Sequence, residues 1–134
     1  MTLTLTTSVR DQIQAHARED HPIEACGVLI ASDTHPGTAR WAVRMANVEN
    51  SETCFRFDPV SQLSVWQQAE DEGKHVIAVY HSHTGSDAFP SGVDIAYAAD
   101  PDVHHVIIST PDDEARAFRI IDGTVTEEDV MISE

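Results

Sequence analysis

The spacing of apolar residues near the N-terminus is that of a helix with one buried face. Val9, Ile13 and Ala17 recur at four-residue steps, and Ser8 before them predicts a side-chain cap at the helix start. Proline disfavours continuation of a helix, so we expect this helix to end near His21-Pro22.

Two further helices are predicted from start and stop residues. Asp58-Pro59 combines a capping carboxylate with proline in the first helical position, and apolar residues at three-residue intervals continue to Glu72-Gly73. Ser91-Gly92-Val93-Asp94 is typical of another helix start, and this helix is expected to run to about Asp100-Pro101.

Short apolar or alternating segments rich in β-branched and aromatic residues predict strands, and Asp122-Gly123 is a hairpin signal between the last two. The predicted strands are residues 25–31, 41–48, 54–57, 76–80, 103–110, 115–121 and 124–132. Helices separate some strands and hairpins separate others. We therefore expect an α/β (α+β) fold with one mixed central sheet flanked by helices, in a single domain over residues 1–134.

Composition supports a globular chain. Hydrophobic residues make up 41% and charged residues 23%, and no apolar run approaches the roughly 18 residues of a membrane span. The N-terminus lacks the basic and apolar pattern of a secretory signal. A soluble, cytoplasmic protein is the expectation.

The charge balance excludes one class of partner. Eight basic residues face 23 acidic ones, which gives a formal net charge of −15. Nucleic-acid and anionic-membrane binding depend on basic residues, so neither is expected. The two cysteines, Cys26 and Cys54, do not form a CxxC pair and are interpreted as reduced, buried small residues.

His81-Ser82-His83 follows the predicted strand at 76–80. Residues two apart on an extended segment point to the same side, so both imidazoles can face one metal ion. Among eight histidines a chance pair is equally plausible. Asp94 supplies a carboxylate after a ten-residue interval, and two imidazoles with one carboxylate leave a fourth position for water at a catalytic zinc. Asp94 also lies three residues after Ser91, where a helix-capping role explains it equally well.

These residues together resemble the JAMM (MPN-plus) signature, in which a distant glutamate precedes HxH, ten residues and an aspartate with a serine three before it. Several further stretches are similar to the bacterial Mec-like subfamily, small stand-alone JAMM proteins of sulfur-carrier metabolism. These stretches are Glu24-Ala25-Cys26-Gly27-Val28, Phe55-Arg56-Phe57-Asp58-Pro59, Tyr80-His81-Ser82-His83-Thr84 and Ala88-Phe89-Pro90-Ser91.

The resemblance implies a JAMM/MPN fold, which is cytidine-deaminase-like, and a zinc ion (Zn2+) held by His81, His83 and Asp94. It implies that Glu24 moves the protons of hydrolysis, although on residue type alone a surface carboxylate is the commoner fate. Ser91 is implied as a hydrogen-bond donor to the developing oxyanion, with a helix N-cap as the competing role.

The same resemblance implies a function. A Mec-like enzyme is a metallopeptidase or isopeptidase that cuts after the C-terminal Gly-Gly of a ubiquitin-like sulfur carrier protein and releases cysteine or another amine. The alternatives are a general desampylase or deubiquitinase-like isopeptidase acting on lysine-linked modifiers, and a non-catalytic MPN module that only binds partners. A zinc deaminase is disfavoured because the Pro-Cys-x-x-Cys pair is missing. A homodimer is compatible with the sequence.

One position departs from the wider family. Thr84 follows the second histidine where most JAMM proteins carry proline, although threonine is familiar in the Mec-like branch. The departure puts in doubt the expected loop conformation and a substrate specificity like that of eukaryotic deubiquitinases, but not the metal site. Phe55 is interpreted as a core aromatic, and in the family the strand that carries it lies near the substrate groove.

Overall fold

The computed structural model describes residues 2–98 and 100–134, in which three helices pack against one mixed eight-stranded sheet. The strands lie in the order β3-β1-β8-β7-β6-β5-β2-β4. The strands are β1 (Thr2–Thr6), β2 (Cys26–Ser32), β3 (Thr38–Ala39), β4 (Trp41–Met45), β5 (Lys74–His83), β6 (His104–Ser109), β7 (Glu114–Ile121) and β8 (Thr124–Ser133), and the helices are α1 (Thr7–Asp20), α2 (Pro59–Asp71) and α3 (Gly92–Tyr97). In the described part of the chain, each helix is too short or too polar to cross a bilayer.

The N-terminal segment contains a strand that the sequence analysis missed. Leu3 and Leu5 are fully buried in β1, which pairs in parallel with β8. The chain passes directly from this strand into α1, and the Thr6 side chain accepts a hydrogen bond from the Val9 N–H. The predicted cap at Ser8 is therefore wrong, because the end of β1 fixes the helix start two residues earlier.

The predicted strands at 41–48 and 54–57 need correction. β4 ends at Met45, and residues 54–57 form no strand. The segment instead follows an irregular loop, and the ring of Phe55 lies against His81. One edge of β2 is already occupied by β4 and the other by β5, so no sheet edge next to β2 remains for this segment.

From residue 58 onward the observed helices and strands agree more closely with those predicted from the sequence. Asp58 caps α2 through a hydrogen bond from the Ser61 N–H, and β5 to β8 match the predicted strands. The helix that starts after Ser91 ends at Tyr97 rather than near Asp100, so its predicted length is wrong. Ala99, inside that predicted helix, lies outside the described residues.

Helices cover both faces of the sheet, and each face has its own core. The face under α1 contains the alternate residues Ala78 and Tyr80 of β5, packed against Val9 and Ile13. α2 covers the other face through Ala69 and its neighbours. The predicted mixed sheet with flanking helices is thus confirmed, and the predicted site residues lie on the α2 face.

Gly27 and Tyr80 form a close contact between β2 and β5. A Cβ atom on Gly27 would lie 2.4 Å from the Tyr80 ring and 2.4 Å from the Val43 carbonyl oxygen. The Tyr80 hydroxyl lies 2.7 Å from Nδ1 of His16 on α1. The absence of a side chain at residue 27 therefore lets the tyrosine reach the helix.

Candidate metal centre

Strand β5 places two histidines on one face of the sheet. His81 pairs with Cys26 of β2 on one side and with Ile107 of β6 on the other. His83 follows two residues later, so its side chain points to the same face. Both imidazoles are almost fully buried, with 2% and 4% of their surface exposed. The histidines lie within the strand rather than just beyond its predicted end.

Asp94 is oriented toward these histidines by the start of α3. The Ser91 N–H donates to Asp94 Oδ2 at 2.8 Å, and the Asp94 N–H donates to Ser91 Oγ at 3.1 Å. This reciprocal capping box fixes the aspartate at the third helical position. The capping role that competed with metal ligation is therefore present, and the same carboxylate also faces both imidazoles.

Three ligand atoms converge at this point. Nε2 of His81 lies 3.1 Å from Nε2 of His83 and 3.1 Å from Oδ2 of Asp94, and the remaining separation is 3.0 Å. Zinc bonds nitrogen and oxygen at about 2.0–2.2 Å, which sets tetrahedral ligand pairs roughly 3.3–3.6 Å apart. The triangle is thus close to the size that a tetrahedral ion requires.

The hydrogen bonds of the ligand residues also fit a cation. His83 Nδ1 lies 2.8 Å from the Asp87 carbonyl oxygen, which can only accept, so Nδ1 carries a proton. Nε2 of the neutral ring then directs its lone pair at the carboxylate of Asp94. Protons on both Nε2 atoms would instead oppose each other across 3.1 Å. A metal ion among the three atoms satisfies all of them at once.

Electrostatics differ among the three groups. Burial lowers the pKa of His81. Burial also opposes the charged form of His83, but hydrogen bonds with Asp94 and Asp87 raise the pKa of its imidazole overall. For Asp94 burial would raise the pKa, yet the two histidines and the Ser91 N–H hold it well below its usual range. The carboxylate is therefore ionised at neutral pH.

Glu24 is a buried carboxylate beside these residues. Extending the β2–β5 register by two positions sets it opposite His83. Only 3% of its surface is exposed, and its Oε1 makes no hydrogen bond within the described chain. Burial raises the pKa of Glu24 to about 7, His83 acts in the opposite direction and Asp94 reinforces the increase. The surface-carboxylate interpretation does not hold.

The backbone around Glu24 is held on both sides. Its N–H donates to the Ser51 carbonyl oxygen at 2.9 Å. The Ala25 N–H donates to Ser82 Oγ at 2.8 Å, and the Ser82 N–H donates back to the Ala25 carbonyl oxygen at 2.9 Å. Ser82, the residue between the two histidines, therefore connects Glu24 to β5 in a way that the HxH spacing alone did not indicate.

Asn47 is a residue beside the site that the sequence analysis missed, and Phe55, interpreted there as a core aromatic, lies against a candidate ligand. The Phe55 ring stacks on His81, with centroids 4.5 Å apart and planes inclined by 24°. The Asn47 side chain binds backbone groups of Glu24 and Cys54. Asn47 had been included in a predicted strand, although asparagine is depleted in strands, and that depletion was the available signal.

The cysteines take no part in a metal group in the described structure. Cys26 is buried and Cys54 half-buried, and both are free thiols. Burial raises the pKa of the Cys26 thiol to about 12, which keeps it protonated. The absence of a disulfide between them agrees with the interpretation as free thiols, and the predicted burial holds for Cys26 but only in part for Cys54.

A family model described as prokaryotic homologs of the JAB domain matches residues 6–121 of the chain. The chain belongs to this family. The resemblance to JAMM proteins inferred from the motif is thereby confirmed, and the convergence of the motif residues on the α2 face of this JAB-family protein agrees with it.

Two curated relatives carry functional names. The JAB-family chain is 42% identical over 135 residues to the CysO-cysteine peptidase of Mycobacterium tuberculosis, which covers 98% of the chain and 92% of that protein. It is 36% identical to the desampylase of Haloferax volcanii, with 80% of each chain covered. Both names are those of hydrolases, in agreement with the predicted enzyme class.

Solved structures support the fold. The solution structure of a protein from Desulfitobacterium hafniense superposes with a TM-score of 0.88 at 30% identity and covers 100% of this chain and 94% of that one. A structure titled "JAMM: A Metalloprotease-like Zinc Site in the Proteasome and Signalosome" superposes with a TM-score of 0.62 at 18% identity, covering 98% and 99%. The JAB/MPN fold of this family member is confirmed.

Proposed function

We propose that this protein is a zinc-dependent metallopeptidase that hydrolyses the amide bond after the C-terminal Gly-Gly of a ubiquitin-like sulfur carrier protein and releases cysteine. The observation that carries the proposal is the convergence of His81, His83 and Asp94 beside the buried carboxyl of Glu24. The name of the M. tuberculosis relative supports the carrier-cysteine substrate.

The proposed zinc ligands are Nε2 of His81, Nε2 of His83 and Oδ2 of Asp94. When bound, zinc supplies a Lewis acid that polarises the scissile carbonyl and lowers the pKa of a water molecule. Three protein ligands of nitrogen and oxygen type with an open fourth position are typical of catalytic zinc, whereas structural zinc sites are closed by four.

Glu24 is proposed to move the protons. Its Oε1, which has no partner in the described chain, accepts a proton from the attacking water as the new C–O bond forms. The same carboxyl then delivers that proton to the leaving nitrogen as the C–N bond breaks. A pKa of about 7 suits a group that must accept and release a proton near neutral pH.

Ser91 is proposed to stabilise the carbonyl oxygen as it gains negative charge. Its Oγ accepts the Asp94 N–H in the capping box, so the hydroxyl proton remains available as a donor. Cap and oxyanion donor are therefore compatible roles of one side chain. A single donor of this kind often contributes a few kcal/mol to transition-state stability.

The segment at Phe55, which belongs to no strand, offers a place for the carrier tail. Within the described chain, the backbone N–H and C=O of Phe55 make no hydrogen bond, and its ring lies against His81. We propose that the Gly-Gly tail pairs with this backbone in an extended conformation. Glycine residues suit such a position because they bring no Cβ into the narrow space beside the metal group.

A second candidate is an isopeptidase that removes ubiquitin-like modifiers from lysine side chains. The 36% identity to the H. volcanii desampylase favours it. Chemistry at the scissile carbonyl would be the same, and only the leaving amine would differ.

The cytoplasmic location and the homodimer stay predictions, and sedimentation of the purified protein tests the latter.

The test compares three substrates under identical conditions. They are a carrier ending in Gly-Gly-Cys, the same carrier with the penultimate glycine changed to alanine or valine, and the carrier joined to a lysine side chain. We expect fastest cleavage of the Gly-Gly-Cys adduct, loss of cleavage with valine, and loss on chelation that added zinc restores.

Each other outcome has a defined meaning. Equal or faster cleavage of the lysine-linked form supports the isopeptidase. Indifference to the glycines, with unstructured peptides cut equally well, contradicts both candidates. Binding of the carrier without cleavage, by protein that carries one zinc per chain, would establish a non-catalytic module.

A further inference from the structure

The Asn47 side chain uses its full hydrogen-bonding capacity on backbone groups. Its Nδ2 donates to the carbonyl oxygens of Glu24 and Cys54, at 3.1 and 3.0 Å. Its Oδ1 accepts from the N–H groups of Glu49 and Arg56, at 3.1 and 3.2 Å. A primary amide has two donors and two acceptor positions, so all four are occupied.

The partners of this amide belong to two segments that lie next to the three converging side chains. Glu24 carries the proposed proton acceptor. Cys54 and Arg56 flank Phe55, whose ring stacks on His81. The Asn47 side chain therefore links the backbone of Glu24 to the segment that carries Phe55, whose ring lies against the proposed ligand His81.

Regular secondary structure does not hold this segment. Residues 46–57 contain neither helix nor strand, so no ladder of backbone hydrogen bonds sets their position. Three backbone hydrogen bonds remain beside the amide. They run from the Val48 N–H to the Arg56 carbonyl oxygen, from the Glu24 N–H to the Ser51 carbonyl oxygen and from the Asn50 N–H to the Asn47 carbonyl oxygen. Loss of the asparagine side chain should therefore loosen the segment without unfolding it.

We propose that Asn47 is a positioning residue that fixes the Glu24 carboxyl relative to the Phe55–His81 pair. The inference rests on the proposed function, because it assigns Asn47 to the geometry of proton transfer. A displacement of about 1 Å in a reacting group can cost on the order of 100-fold in rate. Asn47 itself touches no reacting atom and acts only through the two segments.

Two substitutions of Asn47 and one control test the proposal. Asn47→Ala removes all four hydrogen bonds, and Asn47→Asp keeps the shape but loses both donors. We expect kcat to fall roughly 10- to 100-fold in both, with one zinc retained per chain. Asn50→Gly is the control in the same loop, because Asn50 has a positive φ of 47° that glycine adopts freely. Its kcat should stay within about 2-fold of the unmodified protein.

A double-variant comparison separates positioning from general loosening. In a Glu24→Gln background the proton acceptor is already lost, so adding Asn47→Ala should lower the residual rate less than about 3-fold. An undiminished loss in that background, or normal kcat in both Asn47 variants, would overturn the assignment.

A measurement that does not depend on turnover tests the role of Asn47 even if the proposed reaction is wrong. If the unmodified protein does not cleave the carrier-cysteine adduct, the proposed function fails while the structural claim is still measurable. Hydrogen exchange at the Glu24 amide, which binds Ser51 and not Asn47, should be faster in Asn47→Ala than in Asn50→Gly. Equal exchange rates would show that Asn47 does not hold Glu24 in place.

Discussion

His16 and His81 are buried histidines on opposite faces of one sheet, and their surroundings differ. Nδ1 of His16 lies 2.7 Å from the Tyr80 hydroxyl, and its Nε2 lies 3.0 Å from Asp20. Nδ1 of His81 has no partner in the described structure, and its Nε2 faces another imidazole as well as a carboxylate. Burial lowers the pKa of both rings.

The difference distinguishes a structural histidine from a proposed metal ligand. Both nitrogens of His16 have complementary partners, so the side chain needs nothing further. Nε2 of His81 instead faces a second imidazole nitrogen and a carboxylate oxygen, an arrangement of three possible ligand atoms that a cation fits. Tyr80 and His81 are consecutive residues of β5, so their side chains point to opposite faces of the sheet. Tyr80 contacts His16 on one face, and His81, whose Nδ1 has no partner in the described part of the chain, lies on the other.

The largest expected effect is loss of the metal. The double variant His81→Ala, His83→Ala removes two of three ligands, so zinc content measured by mass spectrometry and carrier cleavage should both fall to background. His16→Gln is the matched control on the opposite face and should keep one zinc per chain. Full zinc retention in the double variant would contradict the proposed site.

The next effect isolates the proton acceptor. Glu24→Gln is nearly isosteric but cannot take up a proton, so kcat should fall by roughly 100- to 10,000-fold. Zinc content and the melting temperature should stay close to those of the unmodified protein. Turnover at the normal rate in this variant would place the base elsewhere.

A smaller effect is expected for Ser91, where two roles overlap. Ser91→Ala should slow turnover roughly 10- to 1,000-fold through loss of the oxyanion donor. It should also lower the free energy of unfolding by about 1 kcal/mol through loss of the cap. Asp58→Ala removes the cap of α2 and provides the control, since it should reduce stability alone. A stability loss with unchanged turnover would leave Ser91 only its capping role.

The smallest effect concerns how the stability of the protein changes with pH through His16. Burial lowers the pKa of His16 in the folded protein, although Asp20 opposes the shift. The folded state then binds fewer protons than the unfolded state below the ordinary histidine pKa of about 6.5. The stability that His16 contributes is thus complete above that pH and is lost as the pH falls toward the folded pKa. Denaturant titrations between pH 7 and pH 5 should show a shallower decline for His16→Gln; identical slopes would argue against this linkage.

Local pattern predicted most of the regular structure. The four-residue steps in α1, the capping carboxylate of α2 and the β-branched run of β5 each appear in the predicted place. Strand alternation placed His81 and His83 on one face, but spacing alone left these histidines and Asp94 open to other roles. The resemblance to the JAMM signature supplied the predicted ligand triad. Leu3 and Leu5 also alternate with threonines in the manner of a strand, and this available pattern in β1 was not used.

Contacts between distant segments were not predictable in the same way. Residues 54–57 have strand-like composition but form no strand, and the Phe55 ring lies against His81 instead. The convergence of Asn47 on Glu24 joins residues 23 positions apart, and no periodicity encodes it. Ser91 and Asp94 raised a choice between cap and site, and the structure shows a capping box whose aspartate also faces both histidines.

The close contact at Gly27 has a consequence for mutational surveys of this protein. Any larger residue there must displace the Tyr80 ring or the Val43 carbonyl, and Tyr80 is joined to His81 by one peptide bond. A substitution at this buried glycine would therefore disturb the proposed zinc ligand His81 from the opposite face of the sheet. A screen scored only by product formation would rank residue 27 with the catalytic positions, and only a parallel measurement of folded protein would reveal that its intolerance is steric.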